Sequence, residues 1–231
     1  MFQNFGQQLY KSFIEGDRYM MYLQGLAETM KITLGALLMG IILGSLVAIV
    51  KVYTKEYKAL RPVNWLCDVY VTIIRGTPMT VQLLIIYYVV FATAPFRMAP
   101  YIAIFAFGLN SGAYVSEIIR GGIQAVDIGQ TEAGRSLGMT TNQTMWNIVL
   151  PQAIKNILPA LGNEIIVLFK ETSIVGYIAI QDLTKAAEKI NVKTYSAVPL
   201  LVAAVIYLAV VMLMTWGLRV LERRMSKSDR R

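Results

Sequence analysis

The sequence of 231 residues contains no histidine. That absence removes Ser-His-Asp hydrolysis, HExxH metal chemistry and imidazole general-base catalysis together. There is a single cysteine, Cys67. It excludes an intramolecular disulfide framework and reads as a small buried apolar residue. No GxxxxGK[ST] pattern occurs, so the chain cannot cradle ATP phosphates by that route. Acidic residues are few, 14 against 22 Lys and Arg, giving a net charge of +8. A basic balance fits nucleic acid where the cations form a patch. Here they sit beside apolar runs, which is the pattern of topology control at a bilayer, and no nucleic-acid partner is expected.

Apolar side chains are plentiful instead. They make up 56% of the chain, and the mean hydropathy is +0.53. Soluble domains hold about 45–50%, so the excess points to a membrane. The N-terminal segment is not read as a secretory signal, because Glu15, Asp17 and Arg18 interrupt it before any apolar run. Phe2, Phe5, Leu9 and Phe13 recur at helical spacing, which predicts a short amphipathic helix lying on the membrane surface.

Five spans are expected, near residues 31–50, 63–91, 100–119, 158–180 and 195–218. In the first, Gly40, Gly44 and Ala48 form a small-xxx-small ladder that lets another helix approach, either within the subunit or across an interface. The second is interrupted by Arg75-Gly76-Thr77-Pro78, where Pro78 lacks an N–H and disfavours helix at Thr77. With the N-terminus outside, the inner pieces (51–64, 120–156 and the stretch after Leu218) carry thirteen Lys and Arg, and the outer pieces carry seven. That bias predicts N-out, C-in. The expected organisation is therefore an all-α integral membrane bundle. It has an outer interfacial segment 1–28, a transmembrane domain 29–222 and a basic cytoplasmic tail 223–231 that contacts membrane lipid.

The cytoplasmic piece 120–156 has the signals of a rigid hairpin. Asp127 with Gln130 three residues on fits an N-cap with a capping box. A helix through Glu132, Ala133 and Arg135 should end at Leu137 and Gly138, the glycine tolerating positive φ. Thr140 and Gln143 repeat the start signal, and the second helix is expected to be disturbed at Pro151.

Glu132-Ala133-Gly134, then Gly138, then Ile148, Leu150 and Pro151 resembles the EAA signature of ABC importer permeases, with Gly134 replacing the second alanine. Glycine at that position is expected to loosen the helix by about 1 kcal/mol. RGTPMTVQL at 75–83, GAYVSEIIRGGI at 112–123 and LFKETS at 168–173 look like the polar amino-acid subfamily of these permeases. The resemblance covers about residues 20–222. It implies a type I importer in a bacterial inner membrane. The partners it implies are ATPase subunits that bind ATP and Mg, a second permease copy or paralogue, an external substrate-binding protein and an amino-acid substrate. No cofactor is expected on this chain, and no catalytic residue. The resemblance makes 127–137 a coupling helix that docks on the ATPase through Gln130, Glu132, Ala133, Gly134, Arg135, Leu137 and Gly138.

A charge at bilayer depth costs at least about 2.5–3.5 kcal/mol and marks function by default. Glu164 and Glu171 are seven apart and share a helix face. The expected substrate pocket is Thr77, Asn110, Ser111, Glu164 and Glu171. Alternatively, Arg75 or Lys170 neutralises the acids in interhelical ion pairs. Glu117 and Arg120 read as interface residues rather than ligands. The 182–194 segment reads as a solvated outer helix or a contact for the binding protein. An ion-coupled secondary amino-acid transporter also uses broken helices and buried acids, but it has no need of the hairpin, and no internal repeat is evident. A membrane enzyme is disfavoured because both acids lie on one helix. A helical scaffold without transport leaves the polar bundle interior unexplained.

Overall fold

The computed structural model describes residues 2–54 and 57–228. Met1, Lys55, Glu56 and the end of the basic tail, Asp229, Arg230 and Arg231, lie outside the described residues. The described chain is helical throughout, in the order α1 Phe2–Phe13, α2 Arg18–Tyr53, α3 Arg61–Gly76, α4 Met79–Ile85, α5 Ala99–Gln124, α6 Ile128–Ser136, α7 Thr141–Thr144, α8 Leu150–Glu171, α9 Leu183–Thr194 and α10 Val198–Ser228.

Three helical stretches, Glu15–Tyr53, Phe96–Gln124 and Val198–Met225, are long and apolar enough to cross a membrane. The helices Arg61–Gly76 and Met79–Val90 are long and apolar enough only as a pair, bent by 109° at the break. The pair coincides with the expected second span, broken where expected, and its hinge is the extended dipeptide Thr77-Pro78. The expected span at 158–180 is helical but is made of two pieces. Its helix, α8, carries Glu164, Lys170 and Glu171 and gives way after Glu171 to a 3-10 turn, Thr172–Ile178. The helix that contains the first expected span is longer than the span, because α2 begins at Arg18. The boundary drawn at residues 28/29 therefore falls inside a helix. Glu28 and Lys31 pair at 3.2 Å on successive turns, so these charges do not stop it.

Helices α2 and α5 pack along most of their length, and small residues set their separation. A Cβ on Gly40 would stand 2.7 Å from Ser111 Oγ, and one on Gly44 would stand 2.7 Å from Val115 Cβ. The small-residue ladder is thus used inside the subunit. Around this pair Ile32, Ala36, Leu83, Ala103, Phe107, Leu168 and Val175 form the main core. Leu34, Leu38, Ile42, Leu46 and Ile49 on α2 stay exposed, as lipid-facing side chains should.

Pro151 does not end the helix that leaves the hairpin. Helix α7 passes through a π turn, Met145–Val149, straight into α8. In that turn the Leu150 N–H reaches Met145 O, five residues back. The register therefore slips before Pro151, whose ring would otherwise meet a carbonyl in the preceding turn.

At the end of the bundle far from the hairpin, α1 folds back over α9 and α10. Phe13 packs on the cluster of Tyr22, Leu183, Ala187 and Ile190, while Phe5 and Leu9 remain exposed. Of the four residues expected on one face, Phe13 thus turns into the protein, and the side chain of Phe2 lies outside those described. Helix α9 buries Leu183, Ala186, Ala187 and Ile190 on one face and leaves Glu188 and Lys189 on the other. Its N-cap, Asp182, is fully buried and accepts the N–H groups of Thr184 at 3.1 Å and Lys185 at 2.9 Å. Burial pushes this carboxyl up from the ordinary aspartate value.

Candidate functional site

The chain break and the centre of α5 meet. Thr77 (φ −122°, ψ 147°) and Pro78 (φ −65°, ψ 136°) are extended, so the last turn of α3 loses its usual donors. Thr77 Oγ1 turns back to donate to Ile73 O at 2.8 Å. Gln82 Nε2 donates to Ile74 O at 2.7 Å, to Thr77 O at 3.0 Å and to Thr77 Oγ1 at 2.7 Å. Asn110 Nδ2, from α5, donates to Gln82 Oε1 at 3.0 Å. Thr77 and Asn110 are thus brought together, with Gln82 between them.

One residue along α5, Ser111 Oγ donates to Glu164 Oε1 at 2.9 Å. Both residues are buried. Glu171 lies about two turns farther along α8 and is half-buried. Among the described residues it joins neither hydrogen-bonded set. Four of the five expected pocket residues therefore converge in two adjacent sets, and Glu171 stands apart from both.

The alternative of neutralised acids does not occur through Arg75. That guanidinium lies 3.8 Å from Glu117 Oε2 and 5.3 Å from the Tyr114 ring centroid. Glu117 is the centre of an ion network: Lys51 Nζ at 3.0 Å, Arg120 at 2.5 Å and, through Lys51, Asp68 at 3.0 Å. Three helices, α2, α3 and α5, are joined there. Among the described residues Lys170 forms no ion pair with either Glu164 or Glu171.

The hairpin follows its local signals closely. Asp127 caps α6 by accepting the Gly129 N–H at 2.6 Å. The expected box partner, Gln130, does not fold back; its Oε1 accepts from Gln152 Nε2 at 3.2 Å, tying α6 to α8. Helix α6 ends in a Schellman motif. Met139 N–H reaches Gly134 O at 3.1 Å and Gly138 N–H reaches Arg135 O at 3.0 Å, with Gly138 at φ 81°. Thr140 and Gln143 form the full capping box, and Arg135 donates to Thr141 Oγ1. Gly134 is buried against Thr144 and Ile148, where a Cβ would lie 2.8 Å from Thr144 Cγ2. Its glycine is therefore a packing choice and not a loosened turn. Glu132 and Ala133 are exposed, and Ile128 and Leu137 are 70% and 81% exposed. These form a rigid knob with apolar residues on its surface.

Sequence reasoning missed Gln82 and Gln152. The signal for Gln82 was its place four residues after Pro78, one helical turn from the break; Gln152 had no local signal. Among the described residues no group of three or more His, Cys, Asp or Glu is arranged to hold a metal ion.

Residues 23–227 match the family described as binding-protein-dependent transport system inner membrane component. The chain is 40% identical to the arginine transport system permease protein ArtQ of Bacillus subtilis, over 90% of this chain and 93% of the relative. It is also 40% identical to the putative glutamine transport system permease protein GlnP of Rickettsia bellii, over 87% and 91%. The L-cystine transport system permease protein TcyB of Bacillus subtilis is 36% identical over 88% and 86%. Among solved structures, an amino acid ABC transporter with histidines superposes with a TM-score of 0.80 at 43% identity, covering 88% of this chain and 94% of that one. The MetNI methionine ABC transporter shares the fold, with a TM-score of 0.77 at 17% identity over 92% and 99%.

Proposed function

Because this chain belongs to the family of binding-protein-dependent transport system inner membrane components, we propose that it is the permease of an ATP-driven importer for an amino acid. ABC transport and a multi-pass membrane location follow from the family and its relatives. The partners are ATPase subunits, a second permease copy or paralogue and an external substrate-binding protein. ATP and Mg are held on the ATPase, since this chain has no phosphate loop. With five crossings, α8 and the 3-10 turn after it being the fourth in order, the cation bias favours an N-terminus outside and a C-terminus inside.

The observation that carries this reading is the α6 knob. A helix capped at both ends, with Ile128 and Leu137 in water, is built to be held by another protein. It is fastened to α8 by Gln152 and to α7 by the Gly134–Thr144 contact. A push on α6 therefore reaches the helix that carries Glu164 and Glu171. Thr77, Asn110, Ser111, Glu164 and Glu171 bind the substrate at the break in the second span. Their carboxylates suit the ammonium or guanidinium group of an amino acid.

Reconstitution with the partner ATPase and binding protein tests the reading. ATP-dependent uptake of a labelled amino acid is expected. Uptake driven by a proton or sodium gradient alone would establish the secondary-transporter alternative instead. At the site, Glu171→Gln is expected to abolish uptake while the complex still assembles. Unchanged transport kinetics would remove Glu171 from the pocket.

A further inference from the structure

We propose that Gln82 is a positioning residue for substrate, fixing which end of the Asn110 amide faces the transport path. The inference rests on the reading of Asn110 as a ligand.

Pro78 has no N–H, so the carbonyl four residues before it, Ile74 O, is left without its helical donor. Gln82 Nε2 fills that place at 2.7 Å and also meets Thr77 O at 3.0 Å. These two partners are carbonyls, and the third, Thr77 Oγ1 at 2.7 Å, already gives its hydrogen to Ile73 O, so all three accept and the nitrogen end of the Gln82 amide is fixed toward the break. Its oxygen end must then face α5, where it stands 3.0 Å from the Asn110 amide. An oxygen can be met there only by a donor, so Asn110 gives its nitrogen to Gln82 and turns Oδ1 away. Among the described residues Oδ1 accepts no hydrogen bond, and it is not among the buried atoms left without a partner. The missing proline N–H is thus relayed through two amides into a single orientation at the site. Next to it, Ser111 occupies only Oε1 of Glu164. The face presented to substrate is made of acceptors, which selects a group that donates.

The test uses the complete transporter in proteoliposomes, with whichever of L-arginine, L-glutamine and L-cystine the native complex takes up fastest. Gln82→Leu frees the Asn110 amide and is expected to raise the transport KM about tenfold. Asn110→Asp, which leaves the break intact, is also expected to raise KM, because a carboxylate oxygen then faces Gln82 Oε1, which cannot turn. Combining the two should bring KM back toward the native value, since Asp offers an acceptor in either orientation and Gln82 no longer opposes it. A merely structural staple at the break would give no such rescue. A KM for Asn110→Asp at or below the native value overturns the proposal, as does a double variant as impaired as the two defects combined. Asn110→Asp is informative by itself should Gln82→Leu fail to assemble. Asn110→Leu separates the two levels: a native KM there refutes Asn110 as a ligand, while a raised KM with a native Gln82→Leu refutes only the positioning role.

Discussion

Gly134→Ala sets two known effects against each other. Alanine in a helix interior is favoured over glycine by about 1 kcal/mol, so in a solvated turn the change would stabilise. In this structure the new Cβ lies 2.8 Å from Thr144 Cγ2 and 2.9 Å from Ile148 Cδ1. Comfortable carbon contacts begin near 3.5 Å, so about 0.7 Å must be found. Ile148 can yield, since Cδ1 is the end of a flexible chain. Thr144 cannot yield as readily: it is 1% exposed, β-branched, and its hydroxyl is bonded to Thr140 O at 3.1 Å. Overpacking of this kind costs about 1–3 kcal/mol. The single variant is therefore expected to be neutral to about 2 kcal/mol less stable. Thr144→Ala removes Cγ2 together with Oγ1, which would stand 3.0 Å from the new Cβ. In that background Gly134→Ala should stabilise by about 0.5–1 kcal/mol, for a coupling of about 1–2 kcal/mol between the sites. The four combinations are compared by thermal unfolding in one detergent, following fluorescence of Trp146, which lies just after Thr144. Equal shifts from Gly134→Ala in both backgrounds would refute the packing argument and restore the looser-helix reading.

Other expectations follow from the same geometry. Gly138→Val places a β-branched residue at φ 81° and should cost about 1–2 kcal/mol in the hairpin; an unchanged thermal midpoint and unchanged ATPase association would contradict the Schellman assignment. Leu137→Asp buries a charge in the proposed ATPase contact and should abolish co-purification of that subunit, with the fold intact by circular dichroism. Gly25→Ala brings a Cβ to 2.6 Å from Asp182 O, where backbone cannot move aside, so the α2–α9 junction should loosen by about 1–3 kcal/mol, read as faster amide exchange in α9. Lys51→Met leaves Asp68 and Glu117 facing each other without the cation that lies 3.0 Å from each, so the thermal midpoint should fall. Adding Asp68→Asn should recover part of the loss.

What was legible in the sequence was what local chemistry decides. Asp127, Thr140 with Gln143 and Gly138 act through partners two to four residues away, and each performs the expected cap or stop. The break at Thr77-Pro78 was legible for the same reason, because a missing N–H is a property of one residue. The features that were not legible are tertiary. Gln130 was expected to complete a capping box, but Gln152 competes for its oxygen from 22 residues away. Pro151 was expected to disturb the helix, and a π turn ahead of it moves the register instead. The first span was placed at about 31–50 on its uncharged run, which leaves Glu28 and Lys31 at or beyond its outer end. Their pairing with each other, and the position of Lys31 over the Tyr101 ring at 5.7 Å, lets the helix continue outward to Arg18.

The candidate site divides along the same line. Residue type and spacing identified Glu164 and Asn110, because a carboxylate or amide in an apolar span is conspicuous. They did not identify which polar group faces which, since that depends on the 109° bend between α3 and α4. The bend also explains why Arg75 takes no part. It belongs to the last turn of α3, and its guanidinium joins Glu117 toward the hairpin end of α5, while the chain beyond Pro78 turns to deliver Gln82 to Asn110. One proline thus separates a structural ion cluster from a polar site seven residues away along α5. On the other side of that site, α7, the π turn and α8 run without interruption from Thr141 to Glu171, about 45 Å of helix. The hairpin and the acids are then two ends of one rod, and the π turn at Met145–Val149 is the place along it where the ladder of hydrogen bonds is already out of register. In the proposed coupling, a displacement of α6 has two routes to Glu164: along the rod through that turn, and through the Gln130–Gln152 bond, which joins α8 just beyond it.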